Sequence, residues 1–138
     1  MVFNKKLLSV VLLSCALVAC DDETTPIAPG PNEPVTETFQ GTVAASGAAT
    51  HSFTVSASGT VRATLKEIGS NNTLVMSFAL GNWFADACSV VLANDAATGG
   101  AVLSGTITNG GTLCTRISDI GNIPPGQTAR YTIEIEHP

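Results

Sequence analysis

The feature that most constrains the fold of this chain is the regular alternation of apolar and polar residues in short segments. The positions predicted to share a face are Phe39, Gly41 and Val43; Ala49, His51, Phe53 and Val55; Val61, Ala63 and Leu65; Leu74, Met76, Phe78 and Leu80; and Tyr131, Ile133 and Ile135. Successive side chains of a strand point to opposite faces of a sheet, so a period of two is typical of half-buried strands. No long segment follows the spacing of an amphipathic helix. The pattern therefore predicts an all-β domain.

Turn-forming residues separate these segments. They are Ser46-Gly47, Ser58-Gly59, residues 69–72, Thr98-Gly99-Gly100, Asn109-Gly110-Gly111 and Pro124-Pro125-Gly126. Gly, Asn and Pro stabilise turns through their particular backbone freedom or restriction. Shorter strands are predicted at 88–93, 101–107 and 112–119, which brings the total to about eight. This spacing predicts a single antiparallel β-sandwich, jelly-roll-like, over residues 37–138.

The first 19 residues have the pattern of a signal peptide. Lys5 and Lys6 form a basic start, and the apolar stretch at 7–19 is shorter than the roughly 20 residues that span a bilayer core. It closes with Leu17-Val18-Ala19-Cys20, which resembles the lipobox of bacterial lipoproteins. The resemblance implies that the thiol of Cys20 carries a diacylglycerol, that the chain is cut before this residue, and that the new amine is acylated, for example with palmitate.

Two alternatives accompany this interpretation. An ordinary secretory signal would make Cys20 only an early residue of the mature chain. Leu12-Leu13-Ser14-Cys15 also fits the box, but cleavage there would leave a short apolar region before the cut and an apolar segment after it. We therefore expect lipidation at Cys20.

Residues 20–36 are predicted to form a disordered tether that carries the lipidated cysteine. Four prolines and the acidic run Asp21-Asp22-Glu23 dominate this segment, and apolar side chains are few. An acidic patch after the lipidated cysteine resembles lipoprotein sorting signals, which imply retention in the inner membrane in some bacteria and surface export in others. The predicted location is thus the bacterial cell envelope, with the membrane left open.

Charge limits the partners of the mature chain. It would keep four basic residues against eleven acidic ones, and the basic residues Arg62, Lys66, Arg116 and Arg130 are scattered. Binding to nucleic acid needs clustered cations, as does electrostatic attraction to anionic lipids. We therefore expect no nucleic-acid partner, and we expect membrane attachment to depend on the acyl chains of Cys20.

Cys88 and Cys114 are the two cysteines of the predicted domain. An even pair in an exported chain favours a disulfide, which would close a 27-residue loop. A bridge of that span stabilises a fold by about 3.5 kcal/mol on the chain-entropy model. A metal site or reactive thiol is the alternative, but no His or further Cys lies at ligand spacing. The bridge would require the strands that carry the two cysteines to be neighbours, either within one sheet or between the two sheets.

Several segments of the predicted domain carry a second similarity. They are HSFTVSASGTVRATL at 51–65, LSGT at 103–106, GTLC at 111–114, DIG at 119–121 and YTIEIEHP at 131–138. Together they resemble the bacterial pre-peptidase C-terminal type of β-sandwich, whose members are accessory domains on secreted enzymes and surface proteins. The resemblance implies a sandwich with no catalytic residues of its own.

Trp83 and Phe84 lie between two predicted strands. If exposed, these residues could stack on a sugar ring or anchor a protein partner, as aromatic side chains do at binding hot spots. A lone Trp at the end of a strand can instead close a sandwich core. Closing the core is the favoured interpretation for Trp83, and partner binding by Trp83 and Phe84 is the alternative.

His51 and His137 are the only histidines. His51 shares its parity with Phe53 and is expected at the rim of the core with a hydrogen bond, whereas His137 is expected in water. No nucleophile elbow or other catalytic signature is present. The chain is therefore predicted not to be an enzyme, and a hydrolase is the least favoured function.

Asp86, Asp95 and Asp119 lie in or beside predicted turns. Calcium takes six to eight oxygen ligands, but no Asp-rich loop with calcium spacing occurs, so turn capping is the favoured role. No metal or other cofactor is predicted. The sequence thus predicts a membrane-anchored envelope lipoprotein whose sandwich is a non-catalytic binding or accessory module for a protein or glycan. A structural lipoprotein without a discrete ligand is the alternative.

Overall fold

A computed structural model describes residues 33–138, and all regular secondary structure within that range is β-strand. The strands are β1 (Val35–Ala44), β2 (Ala48–Val55), β3 (Gly59–Ile68), β4 (Met76–Phe84), β5 (Ala87–Ala97), β6 (Val102–Ile107), β7 (Gly111–Ser118) and β8 (Thr128–His137). They form two four-stranded sheets. Sheet A has the order β1-β8-β3-β6, and sheet B has the order β2-β7-β4-β5.

The strand order is that of a jelly roll. The antiparallel pairs are β1 with β8, β2 with β7, β3 with β6 and β4 with β5. Such nested pairs arise when one long antiparallel ribbon, here with the β4–β5 turn at its tip, coils into two facing sheets. The predicted all-β antiparallel sandwich is confirmed. Its first strand begins at Val35, two residues before the start predicted for the domain.

The core lies between the sheets and consists of the alternating apolar positions. Its largest fully buried side chains include Leu65, Ile68, Met76, Phe78, Ile117, Ile133 and Ile135. Each such side chain stabilises the fold by about 1.5 to 3 kcal/mol through the apolar area it removes from water. No buried side-chain nitrogen or oxygen within residues 33–138 lacks a hydrogen-bond partner. Leu74 precedes β4 and is only partly buried against this core.

A β-bulge interrupts the alternation in β3. The register against β8 shifts between Leu65 and Glu67. As a result Lys66 and Glu67 both lie outside, and Ile68 points inward and is fully buried. Strict alternation would have placed a carboxylate in the core and an isoleucine in water. The bulge therefore buries Ile68 and adds an acidic side chain to the outer face of sheet A.

The sandwich has two distinct ends. At the tether end, where the predicted tether joins, Val35 pairs with His137 and the β4–β5 turn follows Phe84. The same end holds the turns from β2 to β3 and from β6 to β7, because Val55 pairs with Gly111. The loop end holds the β1–β2 turn and the β3–β4 and β7–β8 loops. With strands of ten residues and a rise near 3.3 Å per residue, the two ends are about 33 Å apart.

Candidate functional site

The β4–β5 hairpin carries Trp83 and Phe84, the aromatic pair that the sequence indicated as a possible binding site. Phe84 ends β4 and is 77% exposed, more than any other large apolar side chain of the described residues. Trp83 is half-buried, pairs in register with Cys88, and does not belong to the hydrophobic core cluster. Trp83 therefore does not close the core. The aromatic pair is displayed at the tether end.

The turn of this hairpin has only two residues. Ala85 and Asp86 both have positive φ, 48° and 59°. A turn with two such residues matches the right-handed twist of the flanking strands, but Gly and Asn adopt this conformation more easily than Ala. Residues held in such sparsely populated conformations are concentrated at functional sites. The tight turn leaves Phe84 paired with Ala87 at the very tip.

The Cys88–Cys114 disulfide is present, with the two Cα atoms 5.7 Å apart. The prediction that the strands of the two cysteines are neighbours is wrong, because β4 lies between β5 and β7 in sheet B. Flat strands separated by another strand would lie about 9.5 Å apart, beyond the reach of a disulfide. The bridge can form because the end of the hairpin curls over the outer face of β4.

Gly81 permits this curl. It pairs with Cys114 on one side, and on the other side its register against β5 shifts by one residue. A Cβ at Gly81 would overlap the carbonyl oxygen of Ser89 and lie 2.9 Å from the Cα of Val90. The backbone of β5 therefore passes directly above Gly81. This crossing brings Cys88 to Cys114, which is fully buried beneath it.

The exposed surface of the hairpin is apolar over most of its length. Val90 and Val91 are 45% and 64% exposed. Asp86 is the only charged residue between positions 80 and 94. We call residues 81–91 the hairpin arm: an aromatic tip with two exposed valines, held to the sandwich by the disulfide.

A second candidate surface is an open groove of about 770 Å³ on the outer face of sheet A, toward the loop end. Its polar lining residues include Gln40, Thr42, Glu67, Asn72, Arg130 and Thr132. Gln40, Thr132 and Glu67 are in register across β1, β8 and β3. The hydroxyl of Thr132 donates a hydrogen bond to Oε2 of Glu67 at 3.1 Å.

Sequence reasoning missed this groove. It depends on the β3 bulge, because only the bulge turns Glu67 outward beside Thr132. The sole signal in the sequence is Lys66-Glu67 before Ile68, where two charged residues in a row break the alternation. A groove across three strands also needs the pairing of β1 and β3 with β8, which alternation alone does not specify.

His51 lies at the rim of the core, as predicted. Its Nε2 is 2.7 Å from the hydroxyl oxygen of Tyr131, and its ring stacks on Phe39 with the centroids 4.7 Å apart. Burial lowers the pKa of His51 and raises the pKa of Tyr131. Both shifts favour the uncharged forms, so a neutral imidazole and a neutral phenol share this hydrogen bond.

The prediction that His137 lies in water is wrong. Its side chain is buried, because it has the inward parity of Ile135 and its ring lies beside Phe53, with the centroids 5.7 Å apart. Its Nε2 is 2.9 Å from Oε1 of Glu37, and its Nδ1 is 3.0 Å from the backbone oxygen of Pro138. Both ring nitrogens of His137 therefore face oxygen atoms of the chain itself.

Asp119 caps a turn, the role favoured from the sequence. Its carboxylate accepts hydrogen bonds of 2.7 to 3.1 Å from the backbone N–H groups of Ser46, Gly121, Asn122 and Ile123. These bonds, above all the one from Ser46, lower the pKa of Asp119. One carboxylate thus joins the β1–β2 turn to the β7–β8 loop. Within residues 33–138 no group of three or more His, Cys, Asp or Glu side chains could hold a metal ion.

Cys20 and the predicted signal peptide lie outside the described residues, as does the predicted tether up to residue 32. Within the described part, no helix has the length and hydropathy needed to cross a bilayer. No protein-family model matches the chain, and no curated protein is significantly similar to it in sequence.

Proposed function

We propose that this protein is a lipoprotein of the bacterial cell envelope, held at a membrane by acyl chains on Cys20, and that its sandwich is a non-catalytic binding module for an envelope protein or glycan. The observation that supports the binding role is the position of the polar groove, which lies toward the loop end. Its lining begins at Gln40, roughly 17 Å along β1 from the end at which the chain enters the sandwich. An anchor that precedes Val35 is attached at the other end of the sandwich, so it does not cover this groove. Partners in the envelope can then reach it.

The chemistry of the groove suits a polar ligand with many hydroxyl or amide groups. Gln40 can donate and accept hydrogen bonds, Glu67 accepts them, and the guanidinium of Arg130 offers several donors in one plane. The groove is open along the sheet rather than enclosed. An open polar surface fits a stretch of glycan or the surface of another protein better than a small molecule, which is usually enclosed in an apolar pocket.

The positions of the two histidines favour a binding role for the groove over a catalytic one. His51 shares its hydrogen bond with Tyr131, and His137 is paired with Glu37. Neither residue lines the groove. The resemblance to the pre-peptidase C-terminal type of β-sandwich agrees with this role, because members of that family act as accessory domains.

The binding role can be tested with residues 33–138, which contain all eight strands. We expect saturable binding in a glycan array or in a pull-down from envelope extract. Arg130→Ala should abolish this binding. Arg62→Ala is the matched control, since Arg62 also faces outward on sheet A but lies toward the tether end. Loss of binding in both variants, or no saturable ligand at all, would favour the structural alternative. Trp83→Ala tests whether the aromatic pair contributes to the same ligand.

The anchor is tested separately with Cys20→Ser in the full chain. Acylation needs the thiol, and lipoprotein-specific cleavage needs the acylation, so the serine variant should accumulate as a soluble protein or an uncleaved precursor. A serine variant that stays with membranes at the wild-type size would contradict the lipobox interpretation.

A further inference from the structure

The hairpin arm and the start of the described chain lie at the same end of the sandwich. Val35 opens β1 beside His137, and the register of β4 against β7 places Phe84 beyond Leu113, near the start of β7. Gly111 in turn pairs with Val55, from which the chain crosses to sheet A at Gly59. Any anchor that precedes Val35 is therefore attached at the end of the domain that carries the aromatic tip.

We propose that the hairpin arm rests on the lipid surface of the membrane to which the chain is anchored, with Phe84 in the interface between head groups and acyl chains. This inference rests on the lipid anchor of the proposed function, but not on the ligand of the groove. It assigns the aromatic pair to the membrane and leaves the opposite end for the partner.

The composition of the arm favours lipid over a charged partner. Its large exposed apolar side chains are Phe84, Val90 and Val91, with part of Trp83. Asn82 and Ser89 are exposed but uncharged, and the single charge is Asp86. Aromatic rings are enriched at membrane interfaces, where an apolar body meets polar head groups. The arm has no Lys or Arg, so the contact is apolar and should be insensitive to salt.

The anchor at Cys20 and the tip of the hairpin arm can contact the same membrane at the same time. β1 is the first strand of sheet A and β5 is the last strand of sheet B, so three strand spacings and one sheet spacing separate them, roughly 17 Å. The 14 residues between Cys20 and Val35 can span at most about 50 Å. The chain can therefore reach from an anchored Cys20 to β1 while the tip touches the same membrane.

A single exposed phenylalanine would bind lipid weakly by itself. A chain already held at the membrane makes this second contact within one complex, at a high effective concentration. The disulfide lowers the entropic cost of this contact, because Cys88 is fixed to Cys114 and the tip loses little freedom on contact. The arm thus orients the domain rather than recruiting it.

The contact can be measured on the mature chain, residues 20–138, without biological acylation. Cys20 is the only cysteine of this chain outside the disulfide, so it can be coupled to a maleimide lipid in zwitterionic vesicles. Trp83 is the only tryptophan and reports on the arm directly. The readouts are the emission maximum of Trp83, its quenching by acrylamide, and its quenching by lipids brominated close to the head group.

We expect coupling to shift the emission to the blue, to weaken acrylamide quenching, and to introduce quenching by the brominated lipids. Phe84→Asp should reverse these changes. Ile120→Asp should not, because Ile120 is an exposed apolar residue at the loop end, 48% accessible. Emission and quenching that are identical with and without coupling would overturn the proposal. So would a response to added envelope extract but not to lipid, which would assign the arm to a protein or glycan. Because coupling is chemical, failure of the natural anchor would show only in the Cys20→Ser experiment.

Discussion

The two ends of the sandwich are built from the same strands but are stabilised by different kinds of interaction. At the tether end a disulfide clamps an apolar hairpin arm that carries one charge. At the loop end a carboxylate, that of Asp119, joins two turns, and a polar groove opens on the adjoining sheet face. The core runs unbroken between them. The difference therefore comes from outward-facing residues and turns, which the packing of the core leaves free to vary.

The largest effect should come from removing the disulfide at the tether end. Replacing Cys88 and Cys114 together with alanine should lower the free energy of unfolding by about 2 to 5 kcal/mol, because the unfolded chain regains the entropy that the bridge removed. For a domain of this size the melting temperature should fall by roughly 10 °C or more. Peptide mapping of wild-type protein without reductant should recover the linked peptides. Two free thiols in protein from an oxidising compartment would contradict the structure.

Gly81→Ala should have the next largest effect. The added methyl overlaps the carbonyl of Ser89, so the hairpin must shift, and misfits of this kind cost about 1 to 3 kcal/mol. Gly111→Ala is the matched control, since a Cβ at Gly111 on β7 meets no atom within 4 Å. Denaturant unfolding of both variants measures the difference. Equal stability would mean that β5 does not cross above Gly81.

The loop end should be sensitive to acid rather than to reductant. Hydrogen bonds, first the one from Ser46, lower the folded pKa of Asp119 below its ordinary value of 3.8. The contribution of Asp119 is therefore fully present above pH 3.8 and is lost as the pH falls through the lower folded value. The hydrogen-exchange protection factors of residues 46–47 and 119–123, which correct for the pH dependence of intrinsic exchange, should fall over that range. Asp119→Asn should show low protection already at neutral pH.

The titration of His51 can be distinguished from that of Asp119 by its pH range. Burial lowers the pKa of His51, so its contribution is present above pH 6.5 and declines as the pH falls below that value. The loss from His51 thus begins at higher pH than the loss from Asp119. Protection factors at the loop end that already fall near pH 6 would assign its stability to the histidine instead.

The smallest effect on stability should come from the most exposed residue. Phe84→Ala should change the free energy of unfolding by no more than about 0.5 kcal/mol, the usual range for surface positions away from special features. Ile120→Ala is the control at the loop end. A large loss in Phe84→Ala would show that Phe84 is needed for folding, which would weaken its assignment to the membrane.

Much of this fold could be predicted from local pattern. Alternation identified the inward faces of most strands, and the cysteine count together with the predicted export predicted the bridge. The burial of His137 could also have been predicted, since His137 continues the inward parity of Ile133 and Ile135.

Other features depend on pairing between distant strands. The crossing above Gly81 and the bulge before Ile68 exist only in a coiled sheet, so neither the true neighbours of the cysteine strands nor the groove around Glu67 could be predicted from alternation.

In the proposed orientation, the tether end faces the membrane and the loop end faces away. Energy transfer from a single tryptophan to fluorescent lipid tests it directly, on residues 20–138 coupled through Cys20. In wild-type protein the donor is Trp83 at the tether end; in the double variant Trp83→Phe/Ile120→Trp the donor lies at the loop end, about 33 Å away along the strands. Energy transfer from Trp83 should be much stronger than transfer from position 120. Equal transfer from the two positions, or stronger transfer from position 120, would contradict it.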